Sequence, residues 1–363
     1  MQVKVKERNQ ISPSLVYYLV VANQLGVGVL GFEQILSHSV GNEAWIVVLI
    51  GGLTIYPLIW MIYRICEQEQ SDVMGIHEHL LGKWVGSFVN LLWMGYGFLI
   101  ALVIIRTYLE VLQVWLFPSL NEWVFASMFL ILSYYVISGG FRTVTGIAYF
   151  SILLTTWLVF TTVYTYEFAH PSNLLPIFHH KLGEFVQGLR ENTLSYLGFE
   201  LLLIYYPFIK QAEKSRKWAY LGHSTTVFFY LFAVIASTMY YSQGELAETI
   251  WSSINKLKMV ELPFLERFEY LAVAVWISAV LPNLCMGLWV ASRIGKKIWG
   301  GRQRHILVVM ILVCLLLTGM IEERETINNL NNWLAMIGFY LIYVYIPLLF
   351  LWVTWRGRRG VKA

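Results

Sequence analysis

The chain has 363 residues, 58% of them hydrophobic and 13% charged, about half the roughly 25% charged residues of an average soluble domain. That deficit excludes an ordinary water-soluble globular protein, and the hydrophobic content excludes intrinsic disorder. The net charge of +4 is spread over loops, so there is no massed basic patch of the kind nucleic-acid binding needs.

Fifteen Trp, 22 Tyr and 21 Phe suit a bilayer core flanked by interfacial aromatic belts. A helix needs about 20 mainly apolar residues to cross that core. Ten such runs are predicted, at 14 to 36, 44 to 63, 84 to 116, 123 to 138, 146 to 166, 193 to 208, 218 to 241, 270 to 291, 306 to 320 and 333 to 355. The first is read as a retained span and not a signal peptide, because it has no small-residue cleavage site and many similar runs follow. The expected fold is an all-α polytopic membrane protein of ten transmembrane helices, a single domain over 1–363.

Lys and Arg collect on cytoplasmic loops. With both termini placed in the cytoplasm, 19 of the 26 basic residues fall on that side, from Lys4, Lys6 and Arg8 through Lys210, Lys214, Arg216 and Lys217 to Arg356 and Lys362. Lys181, Arg190, Lys256, Lys258, Arg267 and Arg324 fall on the other side, and Arg106 lies within a span. An even number of spans preserves this alternation. Between spans, Glu67 to Lys83 reads as either an interfacial helix or a plain connector. The long loops 167 to 192 and 242 to 269 lie outside by this topology, the second with a candidate amphipathic helix over Ala247 to Val260.

The first span contains Gly26-Val27-Gly28-Val29-Leu30-Gly31. Glycine weakens a helix interior and frees the backbone to unwind, although the same residues also serve close helix packing. The sixth span is short and carries Ser195-Tyr196-Leu197-Gly198-Phe199-Glu200, with a carboxylate that is expensive in a bilayer unless it is paired, solvated or protonated. Helices one and six open two halves of five spans each, approximately 14–166 and 193–355. An odd repeat length makes the second half inverted, and broken helices in corresponding positions point to a ligand site between them. Unwound backbone supplies N–H groups around Gly26, Val27, Gly28 and Val29 for a carboxylate, and carbonyls for an ammonium, with Glu200 as a nearby anion. An amino acid fits this chemistry best.

Arg106 and Glu110 are spaced to share a helix face and form a candidate outer ion pair, structural or gating. Tyr96 on the same helix stands nearer the middle, and Pro282-Asn283 marks a kink in the eighth span. All eight histidines, His38, His77, His79, His170, His179, His180, His223 and His305, fall in loops or at span ends, so no intramembrane histidine relay is expected. Cys66, Cys285 and Cys314 have no short spacing that metal or redox motifs require. No catalytic cluster, nucleotide loop, metal motif or cofactor motif is found, so no enzymatic activity and no cofactor are expected.

Four ordered motifs, Gly26-Val27-Gly28-Val29-Leu30, Leu81-Gly82-Lys83-Trp84-Val85-Gly86, Tyr196-Leu197-Gly198-Phe199-Glu200 and Leu265-Glu266-Arg267-Phe268-Glu269, resemble those of the B subunits of spore germinant receptors, or germination permeases. The likeness extends over nearly the whole chain. It implies membership of the amino acid-polyamine-organocation superfamily and a LeuT-like 5+5 inverted repeat with helices 1 and 6 broken. It further implies a place in the spore inner membrane beside a receptor A subunit and a lipoprotein C subunit, and nutrient sensing that triggers germination. The family's pocket would fall here on Gly26 to Val29, Tyr96, Ile100, Leu197, Gly198, Phe199 and Glu200, with Asn283 added from the kink. Where many relatives read Leu-Pro-Arg after the glycines, this chain reads Gly31-Phe32-Glu33.

The alternatives to a sensing subunit are an amino acid permease and a ligand-gated ion conduit. In superfamily transporters a Ser/Thr pair in helix eight serves sodium, and a Lys in helix five serves protons. Here span eight offers only Ser278 before Ser292, and Gly146 to Tyr166 holds no Lys or Arg, which counts against a driven transporter.

Overall fold

The structure, a computed structural model, describes residues 5–360 except 262, 264 and 265. Lys4, Lys362 and Leu265, used in the sequence reading, lie outside the described residues. The helices in chain order are α1 (Leu15–Gln24), α2 (Phe32–Val40), α3 (Ala44–Glu69), α4 (Val73–Trp115), α5 (Glu122–Ser138), α6 (Phe141–Phe160), α7 (Leu182–Tyr196), α8 (Leu202–Tyr205), α9 (Arg216–Tyr240), α10 (Gln243–Glu248), α11 (Ser252–Lys256), α12 (Phe268–Trp299), α13 (Gln303–Met320), α14 (Arg324–Tyr340) and α15 (Ile346–Gly360). Among the described residues the extended structure amounts to one parallel bridge, Ile11 with Ile209.

Among the described residues, seven helices are long and apolar enough to cross a membrane, and three shorter apolar ones, Leu15–Gln24, Glu122–Ser138 and Phe199–Phe208, accompany them. The 26 residues of α3 rise ~39 Å at ~1.5 Å each, more than the ~30 Å hydrocarbon core. The chain is an all-helical integral membrane protein.

Two spans begin earlier than their hydropathy suggests. The sixth, expected from 193, starts with α7 at Leu182, and the tenth, expected from 333, starts with α14 at Arg324. In both, the added turns are polar (Glu184, Gln187 and Arg190; Asn328, Asn329, Asn331 and Asn332), so an apolar-run criterion stops where the helix does not. The stretch before span three is helical: Asp72 caps it by accepting from the Gly75 amide at 3.1 Å, and Gly82, at φ 78°, bends the chain within α4. Val73 and Ile76 of this stretch are fully buried, so it packs on the bundle and not on lipid. The expected helix over Ala247 to Val260 resolves into α10 and α11.

The centre of the bundle is the contact between α4 and α12, the most extensive of any helix pair. It depends on glycine on both sides, because a Cβ on Gly287 would lie 2.7 Å from the Gly97 carbonyl oxygen. Small residues that let backbones touch are the usual means of helix association in lipid, where hydrophobic burial gives no advantage.

The two ends of the bundle differ. One is basic: Lys210 pairs with Glu7 at 2.7 Å, Arg293 with Asp72 at 2.8 Å and Lys297 with Glu78 at 2.9 Å, and Arg216 with Glu67. Lys210 holds the exposed Glu7 carboxyl below its ordinary value. The other end is rich in loops, and there Glu33 of α2 is fully buried. Its carboxylate pairs with Lys256 of α11 at 3.2 Å and accepts from Ser237 at 3.1 Å, Ser252 at 2.9 Å and Ser253 at 2.6 Å. Removing one partner of a buried pair leaves an uncompensated charge, which costs about 3–5 kcal/mol. Glu33→Ala should therefore lower thermal stability in detergent substantially, and Lys256→Ala in the same background should recover part of the loss. A double variant that is fully additive would show that the pair contributes no coupling.

Candidate ligand-binding site

α1 stops at Gln24 because Leu25 (ψ 68°) and Gly26 (φ −100°, ψ −144°) leave helical geometry, and the chain resumes as one turn, Val27–Leu30, before α2. α7 stops at Tyr196; Leu197 is extended (ψ 152°) and Gly198 takes φ 115°, after which Phe199–Leu201 leads into α8. The two breaks touch. A Cβ on Gly198 would sit 2.6 Å from the Asn23 Cβ and 2.8 Å from the Asn23 carbonyl oxygen.

Groups freed by a break inside a bilayer must find partners in the protein. The Asn283 Nδ2 donates to the Ala22 carbonyl at 2.8 Å, and the Tyr230 hydroxyl donates to the Gln24 carbonyl at 2.9 Å. Gln24 Nε2 donates across to the Tyr196 carbonyl at 2.9 Å, and the Gly198 amide donates to Glu200 at 2.7 Å. The first break is thus capped from α9 and α12, and the second by Gln24 of the first and by its own Glu200.

Between them lies a cavity of about 50 Å3 lined by Gly26, Val27, Gly28, Ile100, Leu197, Gly198 and Asn283 of the expected site. At ~10–15 Å3 for each water-sized probe, it admits a few small groups. Asn23, Gln24, Tyr230 and Asn331 also line it and were missed. Asn23-Gln24 directly precedes the glycines as a polar pair in an apolar run, a signal available in the sequence. Asn331 was hidden in the polar start of α14. Val27, Gly28, Leu194 and Asn331 also line a vestibule of about 410 Å3, whose wall at the loop-rich end includes Trp251 and Arg324.

Other expected residues are placed elsewhere. Val29 faces an adjoining, mainly apolar cavity with Leu25 and Leu30. Tyr96 donates to Glu200 at 2.6 Å, and neither Glu200 nor Phe199 lines the cavity between the breaks. Glu200 instead braces the second break, taking Tyr96 on one oxygen and the Gly198 amide on the other. Arg106 pairs with Glu122 at 3.2 Å and donates to the Glu322 carbonyl, whereas Glu110 pairs with Arg324 at 2.9 Å. Each member of the expected ion pair has found its charge partner on another element. His223 corrects the reading of the histidines: it is fully buried on α9, 2.8 Å from the Gly52 carbonyl oxygen and 3.2 Å from the Gln24 Oε1, and so belongs to the bundle interior beside the first break.

The family model for spore germination proteins matches residues 10–327. The chain belongs to the spore germination protein family. It is 42% identical to the spore germination protein GerQB of Bacillus cereus, over 94% of this chain and 95% of that protein, and 24% identical to the spore germination protein A2 of Bacillus subtilis, over 92% and 91%. Among solved structures it resembles MhsT in complex with L-phenylalanine, with a TM-score of 0.66 at 13% identity, covering 95% of both chains. A manganese transporter of Eremococcus coleocola gives 0.59 at 10% identity, covering 93% of this chain and 78% of that one. These likenesses show a LeuT-like transporter fold in a member of the spore germination protein family.

The two glycines of the breaks should respond differently to substitution. A Cβ on Gly28 meets nothing within 4 Å, so Gly28→Ala should leave stability within about 0.5 kcal/mol. Gly198→Ala forces a side chain into a left-handed conformation and against the Asn23 backbone, and should cost about 2 kcal/mol or more. Thermal unfolding in detergent measures both, and equal stability would refute the close contact of the breaks.

Proposed function

We propose that the chain is the nutrient-sensing membrane subunit of a spore germinant receptor, and that an amino acid bound between the two breaks triggers germination. The observation that carries this reading is that glycine-containing breaks from two distant parts of the chain line one buried cavity together with Asn283. The ligand carboxylate would meet backbone amides around Gly26 to Val29, and its ammonium would meet carbonyls at the breaks and the Asn283 side chain. Ile100, Val103, Ile104, Leu197 and Leu201 make the remaining wall apolar, which favours a short apolar side chain. The bound L-phenylalanine of MhsT, a protein of the same fold, supports the choice of an amino acid.

Joining α1 to α2 and α7 to α8 across the breaks and α14 to α15 through the turn 341–345, with the short α10 and α11 set aside, would give ten spans in two five-span repeats, the second opening with α7. The basic end then faces the cytoplasm with both termini, in keeping with the distribution of Lys and Arg, and the vestibule opens on the opposite side. The membrane would be the spore inner membrane, and the partners a receptor A subunit and a lipoprotein C subunit.

A thermal-shift screen of the purified chain against amino acids, sugars and nucleosides tests the ligand class. A true ligand at 100 times its Kd stabilises by ~2.7 kcal/mol. Gly28→Leu, which fills the space shared by cavity and vestibule, should abolish that shift and reduce nutrient sensitivity of spores at least ~10-fold, with the chain still present in the membrane. Absence of any amino acid shift in the parent would overturn the ligand assignment. Saturable, ion-driven amino acid uptake by proteoliposomes of this chain alone would select a permease instead.

A further inference from the structure

At the loop-rich end, three side chains from distant parts of the chain converge away from the cavity. Glu43 ends the turn between α2 and α3 and is fully buried. His179 and His180 directly precede the start of α7. The Nδ1 of His179 lies 3.0 Å from one oxygen of Glu43, and the Nδ1 of His180 lies 3.0 Å from the other. Potential ligand atoms of the three residues all fall within 4.8 Å of one another. Among the described residues, these two imidazoles are the only basic side chains within ion-pair distance of this buried carboxylate.

We propose that Glu43, His179 and His180 form a binding site for a divalent transition metal of the zinc class. Two imidazole nitrogens and one carboxylate are a common zinc donor set, and a fourth position is left for solvent. Ligands at ~2.1 Å around a tetrahedral ion stand ~3.4 Å apart, so the 3.0 Å contacts would widen by a few tenths of an ångström while the wider separations, all within 4.8 Å, would close around the ion. To ligate, each imidazole gives up the Nδ1 proton it shares with Glu43: a neutral ring keeps its proton on Nε2 by changing tautomer, a protonated ring also releases one proton to solvent, and the Nδ1 lone pair then faces the ion.

The surroundings already resemble an outer ligand shell. The His179 amide donates to Glu43 at 2.8 Å and orients the carboxylate. The Asn42 side chain donates to the Pro176 carbonyl at 2.8 Å and fastens the histidine loop to the turn. Gly41, at φ 49°, brings the turn beneath His180: a Cβ there would lie 3.4 Å from the ring. The His179 side chain is 40% exposed, which gives an ion access from solvent. Nitrogen donors select against Ca2+ and Mg2+, which prefer oxygen. A bound ion would join the end of α2 to the beginning of α7, the two half-helices that flank the cavity on this side.

The test is calorimetric titration of the purified full-length chain, with any polyhistidine tag removed, using Zn2+ alone and Ca2+ alone. One Zn2+ per chain is expected, with no Ca2+ binding. The His179→Ala/His180→Ala double variant should lose at least ~100-fold in zinc affinity, while its circular dichroism and amino acid thermal shifts match the parent. Glu43→Gln should also weaken zinc binding, and Co2+ absorption in the parent should report nitrogen and oxygen ligation. No zinc binding by the parent, equal affinity in the double histidine variant, or Ca2+ binding as tight as Zn2+ would each overturn the proposal.

Discussion

A helix interrupted inside a bilayer leaves carbonyls and amides that no water reaches, and the fold must satisfy them from within. Much of this structure around the breaks follows from that constraint. Gln24 spans from the end of α1 to the Tyr196 carbonyl, Tyr230 comes from α9 to the Gln24 carbonyl, and Asn283 comes from α12 to the Ala22 carbonyl. Pro282 matters in the same way. It removes one hydrogen bond from α12, while the next residue turns its side-chain amide toward the first break and also donates to the Ala279 carbonyl at 3.0 Å. The kink and the break are therefore parts of one hydrogen-bonded arrangement.

The same constraint explains which features were legible in the sequence. Glycines inside apolar runs serve breaks or close packing, as Gly97 and Gly287 serve packing, and Gly26-Val27-Gly28 and Gly198 fall on the breaks where the sequence placed them. Glu200 was harder to read because an isolated carboxylate in a span suggests a ligand contact, while the sequence does not show that Tyr96 is within hydrogen-bond reach. Arg106 and Glu110 have helix-face spacing, but Glu122 and Arg324 approach from other elements. Local spacing shows which groups are neighbours on one helix, whereas partners across the bundle depend on packing. The polar beginnings of α7 and α14 escaped for another reason: Gln187, Arg190, Asn328, Asn329 and Asn332 are exposed at the loop-rich end, where a helix need not be apolar.

Glu33 illustrates how a departure from a family pattern can be absorbed locally. An acid stands where the resemblance implied a base, and the structure places Lys256 and three serines around it. The charge is balanced from α11, an element outside the long spans, so α2 and α11 are bound together at the loop-rich end. The vestibule runs between these elements and α14, with Gly31, Gln34, Trp251 and Asn328 on its wall.

The relative sizes of the spaces bear on how occupancy would become a signal. The vestibule of about 410 Å3 narrows to a cavity of about 50 Å3, and the two share Val27, Gly28, Leu194 and Asn331. These four residues belong to the turn after the first break, to α7 and to α14. A ligand larger than the cavity can enter only if those elements separate, and they can separate only by exchanging contacts such as those of the second break with α14, where a Cβ on Gly338 would stand 2.5 Å from the Leu197 side chain. Packing this close resists gradual deformation and favours discrete rearrangement. Under the proposed function, ligand binding and movement of the half-helices would then be one coupled equilibrium, and the binding energy that differs between the two arrangements would set the largest signal the site can send.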